Sequence, residues 1–350
     1  MPLLARTIST PLVIEVRAGA VAALAPLLSD GRISTGGKVA LVVGPGRGDR
    51  LAKELMTALP AASVVPIEGA NMESAQQVIA HLREDYHDAV IGVGGGQTLD
   101  TAKYAASMVG LPFVAVATTL TNDGLASPVA TLESYGRKAS FGVHQPIAVF
   151  VDIDHVRDAP DEHTRSGVGD VLSNLSAIRD WELARDVTGE HVDGLAVALA
   201  RTAAEALLAV APGTDHFLTV LAEGLITSGI AMAVAGSSRP CSGGCHEISH
   251  ALDASFASPG LHGAQVAFGA RFATWRRGES ELLDTLDRAM LMHHLPRAPE
   301  ELGLSREDFA QVLLEAPTTR PDRFTILEHD PITPDTVKEV VDAYIQTIDR

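Results

Sequence analysis

Short runs of β-branched and small apolar residues alternate with helical patterns through the first 155 residues of the chain. Five such runs are typical of buried strands, and they cover residues 38–43, 62–67, 88–94, 112–117 and 148–152. Segments with the apolar spacing of helices lie between the first four of them. Strands that alternate with helices of this length indicate a parallel, doubly wound sheet. We therefore predict a Rossmann-like α/β domain over residues 1–157.

Long Ala- and Leu-rich helical stretches replace that alternation in the rest of the chain. Residues 192–211 and 216–236 are the clearest of them, and strand-like runs nearly vanish. This pattern predicts an all-α second domain over residues 158–350, with the boundary in the polar stretch 158–167. Because ligands of open α/β sheets bind beyond the carboxyl ends of the strands, we expect the functional site in the cleft between the two domains.

The chain carries a net charge of −17 over 350 residues, and its 46% of apolar residues suffice for two cores. A chain this acidic repels nucleic acid and anionic membrane surfaces, so neither is an expected partner. An anionic substrate would need a local positive site, such as a metal ion, arginine side chains or a helix N-terminus. A small molecule is therefore the expected partner.

The cysteine content and the N-terminal segment both bear on the compartment. The chain has two cysteines, Cys241 and Cys245, whereas a secreted disulfide scaffold carries more. This low number favours a reducing environment. The first 20 residues contain no apolar segment followed by a small-residue cleavage site, so no secretory signal is expected. No stretch of about 18 residues lacks charged and polar side chains, so we expect no transmembrane helix. The sequence predicts a soluble, cytoplasmic protein.

A glycine-rich segment follows the third predicted strand and precedes a helix. It comprises Gly94, Gly95, Gly96, Gln97, Thr98, Leu99 and Asp100. Adjacent glycines let backbone N–H groups approach a phosphate, and the helix N-terminus adds the positive end of its dipole. Thr98 is placed to cap that helix or to contact a phosphate oxygen. The alternative is a tight strand-to-helix turn that binds nothing, because a glycine loop alone is a weak signal.

A second glycine-rich stretch lies upstream, at residues 44–49. It departs from the GxGxxG dinucleotide pattern, because Asp49 stands where the third glycine would be. We therefore do not assign it to a pyrophosphate. Glu68, at the end of the second predicted strand, is either a carboxylate that accepts a ribose hydroxyl or a solvated turn residue.

Three histidines lie within 17 residues, at His246, His250 and His262. The first two are four residues apart and share one face of a helix, and neutral imidazoles suit Zn, Ni and Fe. The segment also matches the HExxH pattern of zinc proteases, in which Glu247 would be the general base. The extended form of that pattern fails, because Asp253 replaces its glycine and residue 256 is not its third histidine. Structural histidines remain the plain alternative, whereas a zinc site with the two cysteines lacks a second CxxC-type pair.

A carboxylate that would complete a metal site stands at Asp170, in the segment GVGD. One carboxylate and two histidines, with positions left open for substrate, are typical of a catalytic metal site rather than a structural one. The alternative is that Asp170 caps the N-terminus of the following helix.

Seven segments of the chain form an ordered series. The series is GGGQTLDTAK from Gly94, TTLTNDGLASP from Thr118, GVGD from Gly167, IRDWELA from Ile178, SSRPCSGGCHEISHALD from Ser237, LHGAQVAFG from Leu261 and RPDRFTILEH from Arg320. It resembles the sn-glycerol-1-phosphate dehydrogenases, which belong with iron-containing alcohol dehydrogenases, glycerol dehydrogenase and dehydroquinate synthase in one superfamily. The resemblance covers about residues 88–329 and implies a dehydroquinate synthase-like fold.

The resemblance implies a metal-dependent oxidoreductase of phospholipid metabolism that uses NAD or NADP. It would interconvert dihydroxyacetone phosphate and sn-glycerol 1-phosphate, or a closely related polyol phosphate. Asp170, His246 and His262 would bind one divalent metal, with Zn favoured over Ni or Fe, and Asp123, His250 and Asp170 would contact the substrate and act in catalysis. The residues implied for cofactor binding are Gly94, Gly95, Gly96, Gln97, Thr98, Asp100, Thr118, Thr121 and Ser127. Relatives of this kind form dimers or larger assemblies, so a homo-oligomer is expected.

The sequence departs from the family pattern at several positions. Cys245 stands where relatives often have an acid before the first metal histidine, and Gln97, Thr98 and Asn122 are also uncommon choices. These departures leave a related polyol phosphate open as the substrate. Arg239 and Arg323 are candidates to bind a substrate phosphate, but each is more typical of a surface or domain-bridging arginine, so neither is counted as a site residue.

Two rival functions share parts of this pattern. A sugar-phosphate cyclase (a lyase) of the dehydroquinate synthase type has the same fold and cofactors, but that family resembles this chain less at the metal site. Its first metal ligand is a glutamate among several lysines, whereas this chain has Asp170 and few lysines nearby. A binding protein without catalysis is disfavoured by the complete set of one aspartate and two histidines.

Overall fold

Six parallel strands form the central sheet of the chain, whose computed structural model describes residues 10–134, 136–257 and 259–348. The strands, in chain order and including a separate hairpin, are β1 (Val13–Arg17), β2 (Val39–Val43), β3 (Ser63–Pro66), β4 (Ala89–Gly94), β5 (Phe113–Ala117), β6 (Val129–Ser134), β7 (Arg137–Gly142) and β8 (Ala148–Asp152). Their order across the sheet is β1-β8-β5-β4-β2-β3. The first nine residues, part of the segment searched for a secretory signal, lie outside the described residues.

The four inner strands are buried along their whole length, because helices cover both faces of the sheet. This confirms the predicted α/β sheet, and each of the five predicted strands lies within two residues of an observed one. The sequence reading missed β1, whose Glu15 and Arg17 interrupt the apolar run because the strand lies at the sheet edge. It also missed the antiparallel hairpin β6–β7.

Helices make up nearly all of the remaining regular structure. They are α1 (Leu24–Asp30), α2 (Arg47–Ala58), α3 (Met72–Glu84), α4 (Gly96–Val109), α5 (Ile153–Val156), α6 (Asp161–Thr188), α7 (Gly194–Leu208), α8 (Asp215–Ala235), α9 (Gly244–Ser255), α10 (His262–Arg276), α11 (Ser280–Met292), α12 (Arg306–Glu315), α13 (Ile326–His329) and α14 (Val337–Ile345). Short 3-10 helices cover Ala20–Ala23, Asp123–Leu125, Pro299–Leu302 and Ala316–Thr319. The helices after α5 form the helical half of the chain.

The predicted domain boundary between residues 157 and 158 falls in the short connection between α5 and α6. Most of the polar stretch 158–167 is the first two turns of α6 rather than a linker. Asp170 therefore lies inside a 28-residue helix, and its predicted alternative role as an N-cap is wrong. The helix begins earlier than expected because Asp161 and Glu162 suit the first turn, where the helix dipole favours acids.

One helix, α8, is long and apolar enough by length and composition to cross a membrane. However, 67% of its most apolar stretch is buried inside the protein, where it packs against α6 and α7. Its apolar character is therefore that of a core helix in the helical half.

The carboxyl ends of β4 and β5 lie side by side in the sheet, so the loops that follow them meet. The first loop leads through Gly95 into α4, and the second leads to the 3-10 helix Asp123–Leu125. The hairpin β6–β7 packs against α4 beside these loops and is tied to the sheet side by a bridge between Asn71 and Glu133. The helices α6, α9 and α10 close the opposite side.

Candidate active site and metal centre

A cleft of about 590 Å³ lies between the strand-end loops, the hairpin and the helical half. This volume is in the range of small-molecule and cofactor pockets. Eight of the residues predicted to act here line it: Gly96, Gln97, Asp100, Asp123, Ser127, His246, His250 and His262. The other predicted residues lie behind this lining: Gly94, Gly95, Thr98, Thr118, Thr121 and Asp170.

The glycine loop turns tightly from β4 into α4, and its shape requires small residues. A Cβ atom on Gly94 would lie 2.5 Å from Oγ1 of Thr98, and one on Gly95 would lie 2.8 Å from Oγ1 of Thr119. The N-cap of α4 is Gly95, with no side-chain cap. The predicted capping role of Thr98 is therefore wrong, because this side chain is buried against the loop. The N-terminal N–H groups of α4 are left to a ligand or solvent.

A buried lysine that the sequence reading did not single out holds the next loop in place. Lys103, on α4, donates to the carbonyl oxygens of Gly124 and Ser127 at 2.5 and 3.1 Å. Its ammonium lies 3.4 Å from the carboxylate of Asp100, which also accepts from the backbone N–H of Thr131. Asp100 is thus committed to positioning the loop and the hairpin while it lines the cleft.

The remaining predicted cofactor residues cluster where β5 ends. Thr118 is buried, and its backbone N–H donates to the carbonyl of Gly94 at 2.9 Å. The carbonyl of Thr121 accepts from the hydroxyl of Ser166 at 2.9 Å. Ser127 lines the cleft and its hydroxyl lies 3.4 Å from the carbonyl of Val129. The structure thus brings these residues next to the glycine loop.

Two glycines allow α6 and α10 to approach each other closely. A Cβ atom on Gly263 would overlap the carbonyl of Ser166, and one on Gly169 would overlap the carbonyl of Gly263. The backbone N–H of Gly263 donates to the Ser166 hydroxyl at 3.1 Å. Because Asp170 and His262 are the chain neighbours of these glycines, the close contact brings their side chains together.

Asp170, His246 and His262 form a compact donor cluster. One carboxylate oxygen and one nitrogen from each histidine all lie within 4.8 Å of one another. Oδ1 of Asp170 lies 3.6 Å from Nε2 of His262, and the two histidine rings are 5.1 Å apart between centroids. His250 lies outside this cluster, with its ring 6.5 Å from that of His246. The arrangement differs from the HExxH pattern, which would require His250 as a ligand.

Helix α9 is held in position by a buried carboxylate. Asp180, on α6, accepts from the backbone N–H of Gly244 at 2.8 Å, at the first residue of α9. The same carboxylate forms a buried ion pair with Arg277 and accepts from the N–H of Ile326. These contacts fix the start of α9 and thereby place His246, two residues further on.

Hydrogen bonds orient the two histidine rings of the cluster. The hydroxyl of Ser249 donates to Oε1 of Gln265 at 2.6 Å. Oγ of Ser249 also lies 3.3 Å from Nδ1 of His262. Since the serine has already donated its proton, Nδ1 of His262 is the donor and Nε2 faces Asp170 as a lone pair. For His246, Nδ1 lies 3.3 Å from the sulfur of Cys245.

Burial lowers the pKa of both cluster histidines. The pKa of His262 falls to about 4, and that of His246 falls well below its usual value because of burial and the neighbouring imidazoles. Burial also raises the pKa of the Cys245 thiol to about 12. The imidazoles are therefore neutral at physiological pH, which is the form that binds a metal.

The buried Asp170 and the half-buried Asp123 lie next to each other. Oδ2 of Asp170 accepts from the backbone N–H of Asp123 at 2.8 Å. Burial, and then the charge of Asp123, raises the pKa of Asp170 well above its usual value, while burial raises the pKa of Asp123 to about 7. Among the described residues, Asp170 has no lysine or arginine partner. A cation between these donors would supply the missing positive charge, so the donor set fits a divalent metal.

Two arginines, Arg320 and Arg323, lie near the cluster. Of these two, only Arg323 is a phosphate-binding candidate from the sequence. The guanidinium of Arg320 lies 2.9 Å from Nε2 of His250 and lines the cleft. Arg323 donates to the carbonyl of Ser242 and to the hydroxyl of Ser238. The second candidate for phosphate binding, Arg239, instead pairs with Glu190, so its charge is already compensated.

Glu247 faces away from the metal cluster. Its side chain is fully buried and accepts from the hydroxyl of Thr325 at 2.9 Å. Burial, and then the charge of Glu328, raises its pKa to about 9. Because this acid is held away from the donor cluster, the geometry does not support a zinc-protease mechanism.

The comparisons with known proteins agree with this geometry. The family model described as iron-containing alcohol dehydrogenase matches residues 15–160. A glycerol-1-phosphate dehydrogenase [NAD(P)+] from Archaeoglobus fulgidus is 38% identical over 274 residues, which is 75% of this chain and 77% of the relative. One from Hyperthermus butylicus is 34% identical over 93% of this chain and 95% of the relative. This chain belongs to the glycerol-1-phosphate dehydrogenase family.

A solved structure shares the fold of this chain. A probable glycerol dehydrogenase from Sinorhizobium meliloti superposes with a TM-score of 0.76 over 97% of this chain and 98% of its own, at 22% identity. The predicted family, fold and enzyme class are therefore confirmed, and the chain is an oxidoreductase. The lyase alternative finds no support, because the curated relatives named above are dehydrogenases. The roles of the individual site residues stay predictions.

Proposed function

We propose that this chain interconverts dihydroxyacetone phosphate and sn-glycerol 1-phosphate, or a closely related pair of ketone and polyol phosphates. It would use NAD or NADP and one divalent metal. The observation that carries this proposal is the convergence of Asp170, His246 and His262 in a cleft that also contains the glycine loop and Asp123. The names of the relatives, glycerol-1-phosphate dehydrogenase [NAD(P)+], supply the substrate and the cofactor class.

The dinucleotide would lie on the glycine loop. The free N–H groups at the start of α4 suit the negative charge of a pyrophosphate. A nicotinamide bound there would supply the hydride chemistry at the carbinol carbon. Gly96 and Gln97 line the cleft, and Thr118, Thr121 and Ser127 lie where β5 ends and would flank the nicotinamide.

The metal would be held by Asp170, His246 and His262. This nitrogen and oxygen donor set favours Zn, and Ni or Fe also suit it. A metal held by these residues would supply Lewis-acid chemistry at the ketone oxygen of the substrate. The Nε2 lone pair of His262 stays free because its Nδ1 donates to Ser249, and Nδ1 of His246 faces Cys245.

Asp123 and His250 would act on the substrate itself. Asp123 lines the cleft, and its backbone is held by Asp170, so its carboxylate is positioned to accept hydrogen bonds from polyol hydroxyls. His250 lines the cleft beside the cluster and would carry a proton between the substrate oxygen and solvent. Lys103 supports this arrangement by holding the loop that follows Asp123.

The wider context is proposed in the same way. We propose that the protein is cytoplasmic, works in phospholipid metabolism and assembles as a homo-oligomer, without nucleic acid or membrane as a partner. The division into a dinucleotide-binding domain (residues 1–157) and a domain for metal and substrate (residues 158–350) fits the change from sheet to helices near α5. Light scattering of the purified protein measures the assembly directly.

Nicotinamide absorbance during reduction of dihydroxyacetone phosphate tests the function. The assay compares NADH with NADPH, before and after EDTA, and after Zn, Ni or Fe is added back. We expect turnover that EDTA abolishes and that one metal restores. If protein shown to contain its metal turns over dihydroxyacetone phosphate with neither cofactor, the proposed substrate is rejected.

A further inference from the structure

We propose that Arg320 binds the phosphate group of the substrate, with Arg323 behind it, and thereby selects phosphorylated over unphosphorylated ketones. This inference rests on the proposed function, because it assigns the residue that would recognise the substrate class. It concerns a residue that the family motifs place near the site without giving it a role.

The position of Arg320 is set by the segment that follows the 3-10 helix Ala316–Thr319. Its guanidinium enters the cleft and contacts Nε2 of His250 at 2.9 Å. His250 in turn lies on the same helix face as His246 of the donor cluster. The positive charge of Arg320 therefore lies one side chain away from the site where the substrate ketone would be held.

Several other buried cations of the described structure are paired with carboxylates. The pairs are Arg239 with Glu190, Arg271 with Asp287, Arg277 with Asp180, and Lys103 with Asp100. Lys138, which also lines the cleft, pairs with Asp253. Pairing is the ordinary way in which a protein lowers the cost of a desolvated charge.

Arg320 and Arg323 differ from these paired cations. Within the described residues neither forms an ion pair with a carboxylate, although the chain carries a net charge of −17. Arg323 is satisfied by two neutral oxygens, whereas the hydrogen bond to His250 leaves most N–H groups of Arg320 available. Burial lowers the pKa of both guanidinium groups, and for Arg323 the positive charge of Arg320 adds to that effect.

A phosphate group matches the chemistry of these two unpaired arginines. The planar guanidinium presents parallel N–H donors that bind phosphate oxygens in a bidentate manner, and Arg323 adds positive charge from behind. A neutral ketone would gain nothing from that charge. A substrate with an anionic group would bind more tightly, because that group compensates the charge of both arginines in a partly dehydrated cleft.

The position within the cleft separates this site from the dinucleotide. Gly96 lies against Asn122, and the next residue, Asp123, is hydrogen-bonded to Asp170 of the donor cluster. On the far side of the cluster, His250 contacts Arg320. The glycine loop and Arg320 thus lie at opposite ends of this series, with the donor cluster between them. A three-carbon phosphate held by its ketone at the cluster would direct its phosphate toward Arg320 rather than toward the glycine loop.

The test compares metal-loaded wild type with Arg320→Gln and Arg320→Lys, using dihydroxyacetone phosphate and unphosphorylated dihydroxyacetone. We expect Arg320→Gln to lower kcat/KM for the phosphate ester on the order of 100-fold, through KM, with the unphosphorylated ketone changed less than about threefold. Arg320→Lys should recover part of the loss. The matched control is Arg288→Gln, an exposed arginine on α11, which should leave both substrates unchanged.

Inorganic phosphate provides a second readout that does not depend on turnover. Calorimetry on the metal-loaded proteins should show phosphate binding to wild type and its loss in Arg320→Gln, with equal metal content and thermal stability. Equal losses for both ketones, or phosphate binding that survives in Arg320→Gln, would overturn the proposal. If wild type reduces neither ketone, the proposed function fails, and the calorimetric result still decides whether Arg320 forms an anion site. If Arg320→Gln does not fold, the same comparison is made with Arg320→Lys.

Discussion

The carboxylate of Asp170 accepts a hydrogen bond from the backbone N–H of Asp123 at 2.8 Å, and this contact joins the two halves of the chain. Asp123 begins the 3-10 helix beyond β5, whereas Asp170 lies inside α6. The same carboxylate lies 3.6 Å from Nε2 of His262 on α10. One side chain therefore sets the spacing between the strand-end loop and the donor cluster.

The close approach of α6 and α10 should be intolerant of a single methyl group. In Gly263→Ala the new Cβ overlaps the carbonyl of Ser166, so α10 must move and take His262 with it. We expect a loss of about 1–3 kcal/mol in the free energy of unfolding and weaker metal binding. Urea denaturation and metal analysis measure both. The control is Gly194→Ala, at the first residue of α7, where a methyl group meets open space and should change stability by less than about 0.5 kcal/mol.

The hydrogen bond that orients His262 should contribute to metal affinity. Ser249→Ala removes the oxygen that faces Nδ1 of His262, so the ring loses its fixed orientation. We expect metal affinity to fall about 10- to 100-fold, measured by competition with a chelator of known affinity. Ser255→Ala on the same helix, where the hydroxyl contacts Glu315, is the control. Equal affinities for the two variants would contradict this role for Ser249.

Lys103 should be important for stability rather than for chemistry. Lys103→Met leaves the carboxylate of Asp100 buried without its counter-charge and removes two hydrogen bonds to the loop after Asp123. Breaking a buried pair in this way costs about 3–5 kcal/mol of unfolding free energy. The double variant Lys103→Met with Asp100→Asn should recover part of that loss in urea denaturation. A double variant as unstable as the sum of its single variants would show that the two charges do not interact.

Glu247 should make the protein less stable as the pH rises. Its pKa of about 9 in the folded state exceeds the value of 4.5 for a free glutamate, so the native state keeps a proton that the unfolded chain releases between these pH values. The free energy of unfolding therefore falls through that window, by at most about 1.4 kcal/mol per pH unit from this group. Below about pH 4.5 both states are protonated and the effect vanishes.

Thermal denaturation from pH 5 to pH 9 measures this effect. The variant Glu247→Gln stays neutral at every pH, so its Tm should fall less steeply than that of wild type. The exposed Glu307→Gln on α12 is the control and should follow wild type. Parallel pH profiles for wild type and Glu247→Gln would show that Glu247 is ionised in the folded protein.

The inner sheet could be predicted from sequence because its strands are continuous apolar runs, a pattern that a buried parallel sheet requires. β1 and the hairpin were missed because their residues face solvent on one side. The candidate metal donors could be identified from sequence because one aspartate and two histidines are side chains that bind metals. Their convergence depends on Gly169 and Gly263, whose packing role only the folded chain reveals.

Lys103 and Arg320 show why the rest of the site was not predicted. Both are ordinary residue types in sequence, and their importance depends on which partners the fold places beside them. Lys103 matters because the loop after Asp123 folds onto it, and Arg320 because no carboxylate of the described residues compensates it. The prediction that Thr98 caps α4 was wrong, because its side chain is buried against the glycine loop and Gly95 is the N-cap.

The most direct test measures metal content and turnover of dihydroxyacetone phosphate on the same samples of wild type and Asp170→Asn. In wild type we expect activity to rise in proportion to bound metal and to saturate at one ion per chain. Asp170→Asn removes the buried carboxylate of the donor cluster and should lose both metal and activity by more than about 100-fold, while it remains folded. Wild type that turns over equally well without metal, or Asp170→Asn that keeps full metal and activity, would contradict the account.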